Sequence, residues 1–229
     1  MKEKIKSEGK CLYCGQLFDR RSISKHLEKH LAELSAQTAG ESEQVLHLRV
    51  EGGLHFLQLL MPASATLKSL DRFLRDIWLE CCGHLSAFLL PGYVQIGMQR
   101  KIGDVFRSID KLNYEYDFGT STELVVKHIG THRLPAFPAK ERVRLLSRNE
   151  PLAFMCEMCK SKPATQFCSI HYYNEPSLFC DDCTKKHKKV CRDAANYALM
   201  PVCNSPRSGV CGYKGGSIDL ERDGVYKLA

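Results

Sequence analysis

The sequence predicts a mixed α+β domain in the middle of the chain with a small cysteine-rich module at each end. The 229 residues are 44% hydrophobic and 26% charged, a balance typical of a folded chain rather than a disordered one. Ten of the twelve cysteines lie in residues 1–30 and 131–229, and both of these regions are basic. Formal charges of +4, −3 and +6 over residues 1–30, 31–130 and 131–229 make up the net +7. Three regions of different chemistry follow.

The compartment decides how the cysteines are interpreted. The start MKEKIKSEGK has no apolar stretch typical of a signal peptide, and no later run approaches the roughly 20 apolar residues that cross a bilayer. We therefore expect a cytoplasmic protein. In a reducing compartment, dense cysteine indicates metal binding more often than disulfides.

Residues 1–38 contain two cysteines and two histidines at the spacing of a zinc site. The set is Cys11-x2-Cys14-x11-His26-x3-His30. Two thiolates in one turn and two imidazoles one helical turn apart suit a tetrahedral zinc ion. A unit this small rarely folds without such an ion. The segment resembles the Cys-Cys-His-His zinc-finger family.

The role of this finger is open. In fingers that read DNA, side chains near the helix start contact bases, and here those positions include Asp19, Arg21, Ser22 and Lys25. Arg21 and Lys25 are the candidates for nucleic-acid contact. A single finger reads about three base pairs, so a finger that binds protein or braces the fold is an equal alternative.

Residues 42–150 are predicted to form the α+β domain, with a trailing linker from residue 131. Alternating and apolar runs predict strands over 45–50, 54–60, 84–90, 93–96, 112–118 and 124–129. Between the second and third of these, apolar residues at intervals of three and four predict a helix over 66–82. Strands and a helix in this order indicate an α+β layer. The adjacent Cys81 and Cys82 are expected to pack at the helix end.

Residues 42–130 also carry a series of motifs in order: T-L-K-S-L-D-R-F-L-R-D-I-W, G-H-L-S-A-F, I-G-D-V and Y-E-Y-D-F-G. This series resembles the plasmid pRiA4b ORF-3-like family. The segment N-S-P-R-S-G-V-C-G-Y at 204–213 is similar to a tail found in some members. No activity is established for the family. The resemblance implies a prokaryotic protein associated with mobile elements and with the handling of nucleic acid.

Residues 151–195 hold a second, larger set of metal-ligand types. Eight of them fall in four spaced pairs: Cys156, Cys159, Cys168, His171, Cys180, Cys183, His187 and Cys191. A four-ligand site takes two such pairs, so the set predicts two zinc ions and, with the finger, three in the chain. The spacing alone leaves the pairing of the ligands open.

The opening C-E-M-C and the ending F-C-D-D-C-T-K-K-H-K-K-V-C resemble the MYND-type zinc finger and, more loosely, the B-box. The resemblance implies an interleaved, crossed-brace pairing. One ion would then take Cys156, Cys159, Cys180 and Cys183, and the other Cys168, His171, His187 and Cys191. The chain is thus expected to be an α+β middle domain flanked by small zinc-stabilised modules, followed by a C-terminal tail over 196–229.

Basic side chains surround the last histidine of this set. The candidates for nucleic-acid contact here are Lys185, Lys186, Lys188, Lys189 and Arg192. Such a patch attracts phosphate backbones or acidic protein segments. Cys203 and Cys211 have no assigned partner, and a third bridging site, core packing and oxidative pairing are all open for them.

Enzymatic templates are absent. No phosphate-binding, dinucleotide-binding, H-E-x-x-H or G-x-S-x-G motif occurs in the sequence. Acid and base side chains that a fold could still gather are His47, His55, His84, His128, Asp110, Glu115 and Asp117. The leading hypothesis is a non-enzymatic zinc protein whose basic ends bind nucleic acid or an acidic protein segment, without a membrane or small-molecule partner. A protein-interaction adaptor is the first alternative, and a hydrolase or DNA-processing enzyme is the second.

Overall fold

The computed structural model describes residues 5–138, 140–171 and 176–218, and its contacts divide the chain into two compact units. The sheet unit consists of Ser7–Arg75 and His84–Glu150. The cysteine-rich unit consists of Met1–Lys6, Asp76–Gly83 and Pro151–Ala229. The first residues of the predicted 1–38 module, residues 172–175 of the second ligand region and the end of the 196–229 tail lie outside the described residues.

The sheet unit is built on seven antiparallel strands. In chain order these are β3 (Ser42–Gly52), β4 (His55–Pro62), β5 (Ser86–Leu90), β6 (Val94–Ile96), β7 (Lys111–Tyr116), β8 (Thr122–Pro135) and β9 (Arg144–Arg148). Their order across the sheet is β6-β5-β7-β8-β3-β4-β9. Two further strands, β1 (Glu8–Lys10) and β2 (Leu17–Asp19), form a separate hairpin. The helices are α1 (Ile23–Gln37), α2 (Leu67–Leu74) and the short α3 (Ile102–Val105). The fold is therefore mixed α/β and mostly sheet.

The helix predicted over 66–82 differs in its second half. Thr66 caps α2, whose buried residues follow helical spacing at Leu67, Leu70 and Leu74. From Arg75 to Leu79 the chain continues as a π-helix, in which three consecutive residues, 77–79, are buried. The change of hydrogen-bond register coincides with this change in burial pattern, which a uniform 3.6-residue period does not describe.

The segment expected to be a trailing linker instead contributes to the sheet. Strand β8 runs on to Pro135, and β9 pairs with β4. Leu146 of β9 is buried in a core cluster with Phe56 and Leu60. The sequence pattern did not predict β9, because this region contains prolines and basic residues and the strand places only one residue, Leu146, in the core cluster.

The predicted N-terminal module packs on the sheet as part of the same unit. Helix α1 contacts β8, and the Leu12 N–H donates to the Leu146 carbonyl over 3.0 Å. The shared core joins residues of the finger and of the sheet: Cys11, Ile23, Leu27, Leu31, Val45, Phe56, Leu60, Leu134 and Leu146. The hairpin and helix of the predicted finger therefore share one apolar core with the sheet.

A buried polar network fixes the position of α1. His47 lies on β3 between the Glu28 carboxylate, at 2.6 Å, and the Gln58 side chain, at 2.7 Å. Gln58 in turn donates to the Ser24 hydroxyl over 2.8 Å, and His132 approaches Glu28 at 3.1 Å. Burial raises the pKa of Glu28, but the hydrogen bonds from both histidines outweigh it and hold the pKa below its ordinary value. The carboxylate thus ties one helix to two strands.

The cysteine-rich unit contains a small sheet and two short helices. Its strands are β10 (Gln166–Cys168), β11 (Leu178–Phe179) and β12 (Leu199–Pro201), in the order β11-β10-β12. Its helices are α4 (Asp181–Val190) and α5 (Arg192–Asn196), and a 3₁₀ turn covers Ser169–His171. Much of its core consists of the cysteines themselves, packed with Phe179, Ala194 and Ala198.

Over the described ranges, no helix is both long and apolar enough to pass through a bilayer.

Gly130 tests the network around Glu28. It lies on β8 opposite His47, next to an irregularity in the strand pairing, and an added Cβ would overlap the Glu28 carboxylate. Because two histidines hold that carboxylate, we expect Gly130→Ala to lower the free energy of unfolding by about 1–3 kcal/mol in urea denaturation. Gly97→Ala is the matched control, since its Cβ would meet open space. Equal stability of the two variants would contradict the role given to Glu28.

His55 should make the sheet unit sensitive to acid. Burial, followed by the nearby Arg148 charge, lowers the pKa of His55 from 6.5 to about 4. As the pH falls, His55 is therefore protonated in the unfolded chain before it is protonated in the folded one. The free energy of unfolding that neutral His55 contributes is fully present above pH 6.5 and is lost as the pH falls toward 4. Between pH 7 and pH 5 the wild type should lose about 2 kcal/mol more than His55→Gln, as measured by urea denaturation at each pH. Parallel losses in the two proteins would refute this.

Candidate metal centres

The four predicted ligands of the finger come together in the sheet unit. The ligand atoms of Cys11, Cys14, His26 and His30 all lie within 4.8 Å of one another. The Cys14 Sγ is 3.3 Å from the His26 Nε2. Phe18 stacks on the His26 ring with their centroids 3.9 Å apart, which holds the imidazole in its orientation. Hairpin, helix and one aromatic contact thus build the group.

The eight predicted ligands of the second set form two groups in the cysteine-rich unit. One contains Cys156, Cys159, Cys180 and Cys183, and the other contains Cys168, His171, His187 and Cys191. These are the two groups that the crossed-brace resemblance implies. Helix α4 and its flanking residues supply two ligands to each group: Cys180 and Cys183 to the first, His187 and Cys191 to the second.

The first cysteine pair of each set lies in the same kind of turn. The Gly15 N–H donates to the Cys11 carbonyl over 2.8 Å, and the Lys160 N–H donates to the Cys156 carbonyl over 2.9 Å. Gly15 and Lys160, the residues directly after the second cysteine, both have positive φ, at 76° and 55°. A left-handed residue here reverses the chain and directs both thiols to one side, and lysine is seldom found in this conformation.

Atomic distances within the groups fit a tetrahedral ion. With zinc–sulfur bonds of about 2.3 Å, two sulfurs of a tetrahedron lie roughly 3.8 Å apart. The Cys159 and Cys180 sulfurs are 3.8 Å apart. The Cys168 Sγ lies 3.3 Å from the His171 Nδ1, close to the slightly shorter sulfur–nitrogen edge. A disulfide needs about 2.05 Å between sulfurs, and all twelve cysteines are free thiols here.

Two histidines of these groups each have one buried ring nitrogen without a hydrogen-bond partner in the described structure. The Nε2 atoms of His30 and His187 are buried and have no hydrogen-bond partner among the described residues. Buried polar atoms are rarely left in this state, because desolvation without a partner is costly. The His187 ring is also held in place, stacked on Phe179 at 4.2 Å between centroids. A divalent cation at each group would satisfy both nitrogens, so the residues present fit a metal.

Thiol acidity points to the same requirement. Burial, followed by hydrogen bonds with neighbouring cysteines, raises the pKa of Cys183 to about 12. Hydrogen bonds from Ser161 lower the pKa of Cys159 in the same group to about 6. A pKa this high keeps the Cys183 thiol protonated near neutral pH unless a cation is bound. A bound cation stabilises the thiolate form and removes this conflict.

The predicted nucleic-acid residues are all exposed. Lys185, Lys186, Lys188 and Lys189 lie on the outer side of α4, and Arg192 begins α5. Arg21 and Lys25 are exposed at the start of α1. Asp19 at the same end is engaged locally, because its carboxylate accepts from the Arg21 and Ser22 backbone N–H groups at 2.7 and 3.0 Å.

The acid and base side chains considered for an enzyme form one close pair. The His84 Nδ1 lies 3.5 Å from the Asp117 Oδ1 in the sheet unit, and Asp117 has a positive φ of 65°. His47 is held by Glu28, His128 by Thr131 and Gly130, and Glu115 by Ser121. The pair is a local contact at the end of β7.

Comparisons with known proteins assign no function. The sequence matches no protein-family model and no curated protein. One solved structure that resembles this chain is a protein of unknown function from Methanosarcina mazei Go1. It is 18% identical, with a TM-score of 0.38 over 46% of this chain and 68% of that one. The resemblance of residues 42–130 to the plasmid pRiA4b ORF-3-like family stays a prediction.

The structure also brings together three cysteines that lie outside the predicted ligand sets. Cys81, Cys82 and Cys211 of the cysteine-rich unit have ligand atoms within 4.8 Å of one another. Cys82 is exposed rather than packed at the helix end as predicted. The pair Cys81-Cys82 lacks the two-residue spacing of a ligand turn, which is why spacing alone did not point to it.

Removing one histidine ligand should remove one ion. We expect His187→Asn to lower the zinc content, measured by elemental analysis of protein purified without added metal, by one ion per chain. His128→Asn is the control, because His128 belongs to none of the ligand groups. Zinc content near zero in the wild type, or unchanged in His187→Asn, would rule out the assignment.

Proposed function

We propose that this is a cytoplasmic zinc-binding protein, non-enzymatic, that binds nucleic acid through the basic surface of α4. The three ligand groups predicted from the sequence would each hold one structural zinc ion. The resemblance of residues 42–130 to plasmid pRiA4b ORF-3-like proteins is part of this proposal, with an accessory role beside a mobile element as the expected setting.

One observation carries the proposal: α4 has a ligand side and a lysine side. Cys183 and His187 are buried, one helical turn apart, and belong to two different ligand groups. The intervening and following lysines are exposed. Two ions would therefore fix the rotation of the helix about its axis, and with it the direction in which four ammonium groups point.

Electrostatics favours an anionic partner for this side. Metal binding requires the cysteine ligands to be thiolates. In the second set, six thiolates and two zinc ions would then carry a net charge of about −2, whereas two thiolates and one zinc ion would leave the finger neutral. The formal charge of +7 then becomes about +5. Clustered ammonium groups release counterions from a phosphate backbone, which supplies affinity without sequence preference.

The finger supports bracing more than base reading. Its helix buries Ile23, Leu27 and Leu31 against the sheet unit and commits Glu28 to the polar network. Arg21 and Lys25 are still free to contact phosphate at the exposed end of α1. We assign the finger an auxiliary contact at most and place the main surface on α4.

A protein-interaction adaptor is the second candidate, because a cavity lies beside the same helix. It has a volume of about 630 Å³, and Lys185, Lys188 and Tyr197 are among the residues that line it. Tyr197 is 70% exposed. An acidic peptide could place carboxylates on the lysines and an apolar side chain against the tyrosine.

Four lysines can be tested together. We expect wild-type protein to bind a labelled DNA duplex or a single-stranded RNA at low salt, with an affinity that falls steeply as salt rises. Lys185, Lys186, Lys188 and Lys189 changed to alanine should weaken binding across sequences. For duplex DNA the slope of log affinity against log salt should become shallower by up to about 4. Fluorescence anisotropy at several salt concentrations measures both quantities.

The matched control removes the same charge from the sheet unit, with Lys68, Arg100, Lys101 and Lys111 changed to alanine, all of them exposed. If both quadruple variants weaken binding equally, the effect is one of net charge and the surface is misplaced. Absence of binding to either nucleic acid at low salt, together with binding of an acidic peptide that requires Tyr197, would favour the adaptor.

A further inference from the structure

Three cysteines outside the predicted ligand sets meet in the cysteine-rich unit. Cys81 and Cys82 end the segment Asp76–Gly83, and Cys211 lies about 130 residues further along the chain. The Cys82 and Cys211 sulfurs are 3.6 Å apart. That distance is near the sulfur–sulfur edge of roughly 3.8 Å expected around a tetrahedral zinc ion and far from the 2.05 Å of a disulfide.

Hydrogen bonds on both sides of Cys211 hold the two segments together. The Ser205 hydroxyl donates to the Trp78 carbonyl over 2.6 Å, and the Ile218 N–H donates to the Asp76 carbonyl over 3.1 Å. Gly216 approaches the Ile77 carbonyl so closely that a Cβ would overlap it. The meeting of the thiols therefore follows from packing of the main chain.

The local backbone repeats the turns of the predicted sites. Gly83 follows Cys82 with φ at 75°, and Gly212 follows Cys211 with φ at 65°. Gly15 and Lys160 hold the same conformation after Cys14 and Cys159. Cys211 itself has a φ of 50°, a conformation costly for a residue with a side chain and retained where the surroundings require it.

The guanidinium of Arg207 lies beside the three cysteines. The Arg207 side chain is fully buried, and its Nη2 donates to the Cys81 sulfur over 3.7 Å. Such an N–H···S contact orients a ligand in the manner of the outer hydrogen bonds around known metal sites.

We propose that Cys81, Cys82 and Cys211 bind a fourth metal ion, a thiolate-preferring divalent cation of the zinc class. Cys82 and Cys211 are exposed, unlike most ligands of the other cysteine-rich groups, so this ion is expected to exchange first. The site is independent of the nucleic-acid surface on α4.

Metal content tests the site on the full chain. Protein purified under reducing conditions with zinc in the medium should contain four ions, and the double variant Cys82→Ser, Cys211→Ser should contain three. Cys203→Ala is the control, because Cys203 belongs to no ligand group of the described chain, and it should retain four. A wild type with three ions and an unchanged double variant would overturn the proposal, while the three predicted sites would stand.

Two further measurements keep the outcome clear. Cobalt titrated into metal-free protein should give a sulfur-to-cobalt charge-transfer band that is weaker in the double variant than in the wild type. If the double variant loses more than one ion, graded chelation of the wild type decides: early release of one ion supports the site, and release of three in total refutes it. A mass lower by two hydrogen atoms after reducing purification, with Cys82 linked to Cys211, also refutes it.

Discussion

The ligand groups share one electrostatic constraint: thiols and imidazoles brought within a few ångströms of one another could all be satisfied by one shared cation. In the Cys156 group, burial raises the pKa of Cys183 while hydrogen bonds lower that of Cys159, and a bound cation would favour the thiolate form of both. In the group that contains Cys168, the buried Nε2 of His187 has no hydrogen-bond partner in the described structure, and a bound cation could satisfy it. Because the cysteines supply much of the core of this unit, a bound metal would contribute directly to its folding.

The finger in the sheet unit shows a different balance. Its ligand group sits on a helix that already buries three aliphatic residues and places Glu28 between His47 and His132. Apolar burial and the polar network therefore both hold α1 in place, whereas the fold of an isolated finger depends on its metal ion. Loss of metal should then disturb the hairpin and its turn more than the attachment of the helix to the sheet.

Sequence spacing located the ligands because a turn of two residues between cysteines, or three between histidines on a helix, is a local requirement. It could not locate the group of Cys81, Cys82 and Cys211, since nothing local marks a cysteine whose partner lies about 130 residues away. The same reason explains β9: Leu146 is buried by Phe56 and Leu60, which only the sheet register brings close. Periodicity predicted the strands β3 to β8 and α2, and it failed at the π-helix, where three consecutive residues are buried.

The ligands and the lysines of α4 alternate along the helix, so their directions are linked. This link distinguishes the nucleic-acid-binding candidate from the adaptor candidate. Lys185 lies two residues from both Cys183 and His187, so any rotation that relocates a ligand also redirects the ammonium groups. A partner that reads only charge density, such as a phosphate backbone, would tolerate a small rotation. A peptide that must fill the cavity beside Tyr197 would not, because a cavity wall moves with the helix. Metal substitution that alters bond lengths slightly should therefore affect peptide binding more than nucleic-acid binding.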